Sequence, residues 1–256
     1  ELDDLPMPDR NMVPSEWYDS ALAVKTPITT MMTSRGCPFM CTYCDRPAMG
    51  RRFRYRTAVS VVDEMQWCEE HGIGEIFVYD DTFTVNRKRV LDITAEIRRR
   101  GLTIGWDVRT RVDMVDEELL REMRDTGCQR IHFGIESGTM KILKVFKKEI
   151  DLERAVQVFR YARRIGIQTL AYFMIGAPTE TADDIRETMR YARRLDPDFV
   201  HIAVTTPFPA TELYFQALRE GLYERDIWRE FAANPTPDFT PRTWDRDMPK
   251  EEVWDM

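Results

Sequence analysis

Two rhythms of apolar and polar positions alternate along the chain, and from Pro27 onward their alternation repeats six times. Each repeat is a short apolar, β-rich run, a loop, and then a stretch with apolar residues three and four apart. The runs at 27–33, 75–79, 103–109, 130–136, 169–175 and 199–205 predict strands. Between them the period becomes helical. Val61, Val62, Met65 and Cys68 share one face over 57–71, and Cys68 reads as a core thiol. Asn86 caps a second helix that aligns Val90, Ile93 and Ile97, and Asp116-Glu117-Glu118 opens a third. Asp151 caps a fourth, whose Leu152, Ala155, Val156, Phe159 and Ala162 face one way. Thr181 and Asp184 have the spacing of a capping box for a fifth helix, which Pro197 ends, and a last helix is predicted over 211–221. Arg98-Arg99-Arg100 falls in a final helical turn before Gly101, so it reads as helix-end chemistry rather than as a nucleic-acid patch.

Strands this uniformly apolar do not suit a sheet wetted on one face; they imply a parallel sheet wrapped by helices. Right-handed crossovers curl such a sheet. The expected fold is therefore α/β, a partial (β/α)6 TIM-like barrel of parallel strands over residues 27–222. Its chemistry is expected where strands run into the following helices. Residues 1–26 are rich in proline and acids without a sustained period and read as a linker and lead-in, while 223–256 form a C-terminal extension of no clear pattern.

Composition narrows the class. Charged residues make up 32% of the chain and aromatics 11%, as in a globular protein. The net charge of −7 argues against electrostatic binding of nucleic acid. No apolar run reaches the ~20 residues of a membrane span, and no secretory signal is present. Five cysteines, three of them packed together, suit a reducing cytoplasm better than a disulfide framework.

Those three cysteines are the strongest chemical signal. Cys37, Cys41 and Cys44 are spaced C-x₃-C-x₂-C directly after the first strand. Thiolates ligate soft metals and iron–sulfur clusters. A structural zinc site wants four protein ligands, whereas Cys68, Cys128 and the histidines at 71, 132 and 201 are scattered. Three thiolates on a 4Fe–4S cube leave one iron open to a small ligand; a structural zinc or cluster module, or incidental cysteines, are the alternatives on spacing alone. Other candidates lie at strand ends. Asp80-Asp81 follows the second strand, where one Asp could merely cap a turn. Asp107, Arg109 and Arg111 alternate onto one face of the third, lumenal or outward. Glu136, with Ser137 beside it, could accept two hydrogen bonds from the vicinal hydroxyls of a ribose or act as a helix cap. Gly176, after the fifth strand, has no Cβ and lets a ligand approach the backbone.

The cysteine spacing, with Tyr43 just before the last cysteine, resembles the radical S-adenosylmethionine (SAM) enzymes. That resemblance covers about residues 5–231. It implies that the open iron chelates the amino and carboxylate groups of SAM, with Tyr43 next to the adenine. Asp80 and Asp81 would lie near the SAM amino group, Arg109 near its carboxylate, and Glu136 and Ser137 at the ribose or methionine portion. Gly176 would admit the adenine. Asp80-Asp81, the Gly176-Ala177-Pro178 turn and the Pro207–Tyr214 segment are similar to the cobalamin-binding branch and its methylthiotransferase relatives. Tyr172 stands where the wider superfamily has glycine, and Ala210 where that branch more often has one. The lead-in Asp3–Arg10 looks like the linker from an upstream cobalamin-binding domain, whose Asp-x-His-x-x-Gly signature does not occur here. The implied activity is reductive cleavage of SAM to a 5′-deoxyadenosyl radical, supporting cobalamin-dependent methylation, cyclisation or rearrangement of a small-molecule substrate. Flavodoxin or ferredoxin would donate the electron. A methylthiotransferase-type or cobalamin-free radical SAM enzyme and a non-catalytic iron–sulfur module are the alternative readings.

Overall fold

The computed structural model describes residues 2–45 and 50–244. In chain order, β1 (Ile28–Met31) leads into a small antiparallel pair, β2 (Ser34–Arg35) with β3 (Arg54–Tyr55), and then α1 (Ala58–Glu70). Strand–helix units follow: β4 (Glu75–Val78) with α2 (Arg87–Arg100), β5 (Gly105–Arg111) with α3 (Glu117–Asp125), and β6 (Cys128–Glu136) with α4 (Met140–Val145) and α5 (Leu152–Arg164). Next come β7 (Gln168–Ile175) with α6 (Ala182–Leu195), β8 (Phe199–Val204), α7 (Glu212–Arg219) and α8 (Ile227–Ala233). The six long strands form one sheet in the order β1-β4-β5-β6-β7-β8, every neighbour parallel. Spatial order equals chain order, as right-handed β–α–β crossovers produce, and the sheet curls into the expected α/β half-barrel.

Local chemistry explains the helices. Thr57, Asn86, Asp116 and Asp151 each accept a backbone N–H through their side chains at a helix start. Thr181 and Asp184 form the anticipated reciprocal capping box. Each cap is worth about 1 kcal/mol. The periodic faces are buried against the convex side of the sheet, where Ile76, Trp106, Val108, Ile131, Phe133 and Ala171 meet Val62, Ile93, Leu119 and Phe159 in one core. Cys68 and Cys128 belong to that core, and burial pushes both thiols upward, Cys68 to about 11. Short elements escape periodicity: β2, β3, α4 and α8 are too brief to carry one, and β5 sits two residues later than the pattern suggests.

The alternate residues make the concave side polar, carrying Tyr79, Asp107, Arg109, Arg111, Arg130, His132, Tyr172 and His201 in register. Asp107, Arg109 and Arg111 thus face the lumen. At its lower end Arg130 and Glu75 form a fully buried ion pair at 3.1 Å. Glu75 also accepts from Val24 N (2.6 Å) and Lys25 N (3.1 Å), while the Arg130 guanidinium donates to the Leu22 carbonyl. The lead-in therefore lies against the barrel and closes its floor. Higher up, Arg10 donates to Glu64 at 2.5 Å and to the Thr30 carbonyl at 2.9 Å. These contacts use backbone groups and single charges rather than an apolar stripe, so periodicity does not reveal them. The expected C-terminal extension over 223–256 contains α8; its residues from 245 onward lie outside the described residues.

Removing one member of a buried pair strands the other charge away from water. Arg130→Met is expected to lower unfolding free energy by about 3–5 kcal/mol, read by anaerobic urea titration. An unchanged midpoint would mean that the ion pair does not close the floor.

Candidate functional site

The cysteine loop is pinned at both ends. Asp80, fully buried at the end of β4, accepts from Thr33 N (2.6 Å), Thr33 Oγ1 (2.5 Å), Ser34 N (2.9 Å) and Ser34 Oγ (2.6 Å). The Arg89 guanidinium stands 4.0 Å behind this carboxylate and donates to the Thr33 carbonyl. With four donors met, Asp80 is committed to the loop's entry. Asp81 is exposed and accepts from Gly36 N at 2.9 Å. Gly36 has φ +86°, and a Cβ there would run into the Arg52 and Gly50 carbonyls, so only glycine fits. At the other end Thr42 is stapled three ways: its N–H to Phe146 O (3.0 Å), its hydroxyl to Val145 O (3.0 Å), and its carbonyl to Leu213 N (3.0 Å). Between these anchors Cys37 and Cys41 are half-buried, and Cys44, two residues past Thr42, is exposed. Cys37 Sγ lies 3.5 Å from the Thr82 hydroxyl and Cys41 Sγ 4.0 Å from the Arg111 guanidinium, which stacks on Phe39 at 4.0 Å.

Tyr43 carries the loop into the barrel. Its hydroxyl donates to Glu136 Oε1 at 2.9 Å, and Lys148 Nζ donates to the same oxygen at 2.7 Å. Burial and the adjacent carboxylate push the Tyr43 phenol well above its ordinary value, so it stays a donor. Glu136 reaches this position because β6 slips register between Gly134 and Glu136, and Glu136 itself adopts φ +70°. Such a backbone costs about 1–3 kcal/mol in a non-glycine residue and persists where surroundings over-determine it. A Cβ on Gly134 would strike both Glu136 Oε1 and Lys148 Nζ, so glycine makes room for the pair.

Tyr43 and Glu136 line a cavity of about 320 Å³ with Tyr172, Met174, His201 and Phe208. Gly176 lies at the end of β7 with φ +77°; a Cβ there would meet Val204 only at ordinary van der Waals distance, 3.7 Å, so backbone conformation rather than crowding from the protein selects glycine. Its N–H and that of Ala177 both donate to Glu180 Oε2, at 2.5 and 2.9 Å. Glu180 Oε1 is buried without a hydrogen-bond partner. Arg109 stacks over Tyr79 at 3.8 Å and donates to Val78 O at 3.0 Å. Ser137 points elsewhere: it is fully buried and bonds the Thr188 and Thr139 hydroxyls at 3.1 and 3.3 Å, bracing α6 against the end of β6. The structure thus brings Tyr43 to Glu136 in one cavity, spends Asp80 on the loop, and keeps Ser137 in the packing. Lys148, Thr42 and Glu180 are additions that the sequence did not single out. Lys147-Lys148 reads as ordinary surface charge, and Thr42 between two cysteines offers no signal of its own.

The family model for the radical SAM superfamily matches residues 31–192, which span this loop, the half-barrel and its strand-end residues. The chain belongs to the radical SAM superfamily. It is 34% identical over 232 residues to an uncharacterized methyltransferase of Pyrococcus horikoshii, covering 90% of this chain and 50% of that one. It is 36% identical over 204 residues to the anaerobic magnesium-protoporphyrin IX monomethyl ester cyclase of Cereibacter sphaeroides, covering 78% of this chain and 33% of that one. The chain thus spans half or less of the length of these relatives. In fold it resembles the radical SAM methyltransferase TsrM from Kitasatospora setae, solved with cobalamin and a [4Fe-4S] cluster, at a TM-score of 0.71 and 23% identity over 75% of this chain and 37% of that one. The cobalamin-dependent radical SAM enzyme OxsB aligns at 0.64 and 20% identity over 77% and 36%.

The donor set fits the cluster that this superfamily uses. Three thiols share one short loop, and among the described residues no three His, Cys, Asp or Glu side chains are gathered tightly enough for a single ion. A cubane binds each thiolate to a different iron, so its ligands stand farther apart than those of one tetrahedral metal. The strand-end cavity is lined by the Glu136 carboxylate and the Tyr43 phenol, polar groups of the kind that fix the orientation of a nucleoside such as SAM.

Burial raises the Glu180 carboxyl from 4.5 to about 7, against the two N–H groups that favour its charged form. Between those values the folded chain holds a proton that the unfolded chain has released, so stability falls as pH rises through the window. Glu180→Gln is expected to remove that slope, gaining up to roughly 3 kcal/mol on the parent by pH 8. Parallel slopes in denaturant titrations at pH 5 and pH 8 would show that Glu180 is ionised throughout.

Proposed function

We propose that this chain is the catalytic domain of a radical SAM enzyme, with Cys37, Cys41 and Cys44 holding a 4Fe–4S cluster and the cavity lined by Tyr43 and Glu136 holding SAM. The observation that carries the reading is the Tyr43–Glu136 hydrogen bond, which joins the cysteine loop to the strand-end cavity. When bound, the cluster supplies the electron that reductively divides SAM into methionine and a 5′-deoxyadenosyl radical, which abstracts hydrogen from a substrate carbon. The chain's own residues bind, orient and shield. Glu136, held in place by Lys148 and Tyr43, presents its carboxylate to the SAM hydroxyls or ammonium. Gly176 leaves open backbone for the adenine. Asp80 and Thr42 fix the loop so that the thiols keep one arrangement, and Asp81 supports it through Gly36. Arg109 and Arg111 give the lumen positive charge near the cysteine loop.

The relatives that carry this branch's names include a methyltransferase and a cyclase, and the solved neighbours bind cobalamin. On that basis the whole protein methylates, cyclises or rearranges a small-molecule substrate with cobalamin held by an upstream domain; none of the residues above is assigned to the corrin. Flavodoxin or ferredoxin in the cytoplasm is the electron source that suits such a cluster. No described helix is long and apolar enough to cross a membrane.

After anaerobic reconstitution, SAM and dithionite are expected to yield 5′-deoxyadenosine and methionine by liquid chromatography, and Cys41→Ala to abolish both. Lys148→Met is expected to weaken SAM binding by about ten-fold or more, the scale of a lost charge-assisted contact, in equilibrium dialysis. A cluster-loaded protein that leaves SAM intact would overturn the reading.

A further inference from the structure

Below the SAM cavity the lumen contains a second set of groups with no part in holding the cluster. His132, on β6, is 2% exposed and reaches two partners: Asp107 Oδ2 on β5 at 3.1 Å from Nε2, and the Tyr172 hydroxyl on β7 at 3.0 Å from Nδ1. Asp107 is fully buried, and its other oxygen, Oδ1, has no hydrogen-bond partner and lies 4.0 Å from the Arg109 guanidinium. A carboxylate can only accept. In the neutral ring, therefore, Nε2 carries the hydrogen and Nδ1 accepts from the Tyr172 O–H. The order is hydroxyl, imidazole, carboxylate, the arrangement in which an imidazole takes a proton from an oxygen and a carboxylate steadies the resulting cation. Three adjacent parallel strands supply one member each, so the spacing is set by the sheet. Tyr172 is half-buried and lines the cavity with Glu136 and His201.

We propose that Asp107, His132 and Tyr172 form a proton relay with Tyr172 as its substrate-facing end, serving a substrate that gives up a proton from a hydroxyl, ammonium or acidic carbon. In this step the phenolic oxygen accepts the proton of the substrate's X–H bond, whose electron pair stays on X. The Tyr172 proton moves to His132 Nδ1, and the imidazolium so formed faces the Asp107 carboxylate. No electron is transferred; after product leaves, the same path returns the proton to solvent. Tyr172 is the catalytic residue, and His132 and Asp107 position and polarise it. Burial raises the Tyr172 phenol while Arg109 opposes that rise, so a base in contact is what makes this oxygen reactive. The groups facing it from neighbouring strands are Tyr79, Asp107, Arg109, His132 and His201. The proposal rests on the radical SAM reading, in which SAM occupies the Tyr43–Glu136 end of this cavity and the substrate meets its Tyr172 end, but its test needs neither SAM nor a reduced cluster.

The test is labelling of the cluster-loaded chain with an aryl sulfonyl fluoride. The phenolic oxygen forms the O–S bond, fluoride leaves, and His132 takes the proton. Tyr79 is the internal control, being 48% exposed and stacked on the same Arg109. By peptide mass spectrometry Tyr172 is expected to label about ten-fold faster than Tyr79 or more. Asp107→Asn and His132→Gln should remove that excess while the Tyr79 rate stays constant, which also reports that the fold is intact. Tyr79 outpacing Tyr172, or a Tyr172 rate indifferent to both variants, overturns the relay. On the unaltered protein, ¹⁵N resonances of the three histidines should show His132 protonated at Nε2 and bare at Nδ1, and the opposite tautomer overturns it as well. If labelling fails while SAM is still cleaved, the relay alone is lost; labelling without SAM cleavage leaves the relay and removes its radical setting.

Discussion

The arrangement of the site depends on one carboxylate that faces no ligand. Asp80 turns all its acceptor capacity toward Thr33 and Ser34, at the point where the chain leaves β1 for the cysteine loop. Charge-assisted hydrogen bonds of this kind are roughly twice as strong as neutral ones, and four on one buried group leave the strand exit a single trajectory. Arg89 answers the charge from the far side. Everything beyond, including the glycine turn at 36 and the three thiols, inherits its direction from that junction.

The second constraint is electrostatic. The concave face holds aspartate, glutamate, arginine and histidine side chains at depths where isolated charges cost several kcal/mol each. They are tolerated because they occur in pairs: Glu75 with Arg130, Glu136 with Lys148, Asp107 with His132. Along the strands these pairs follow one above another, so the lumen is built in storeys. The lead-in closes the lowest, a relay occupies the middle, and the cysteine loop looks down on the highest.

Much of this was legible in the amino-acid order. Hydrophobic period located six strands and their helices because burial on the convex face demands it, and capping residues marked helix starts because orphan N–H groups need oxygen. The cysteine spacing pointed to a set of three thiolate ligands for the same local reason. Tyr43 and Glu136 could be named but not joined, since their contact spans 93 residues and depends on a bulge that no pattern encodes. Ser137 looked like a site residue because it follows Glu136, yet at that φ the chain turns it into the packing beside Thr188. Lys148 was invisible for the converse reason: its ammonium is buried only because Gly134 lacks a side chain. The lead-in hid its role by acting through backbone groups.

The two margins of the half-barrel are unlike. At β1 the lead-in runs alongside, with Ile28 N donating to the Tyr18 carbonyl. At β8 the outer face leaves Val200 and Ile202 48% and 43% exposed, beyond the last crossover helix. An edge strand with exposed apolar side chains invites another strand. The opening of the incomplete barrel is therefore directional, sealed on one flank and adhesive on the other, and growth of the sheet or self-association at high concentration would start from β8.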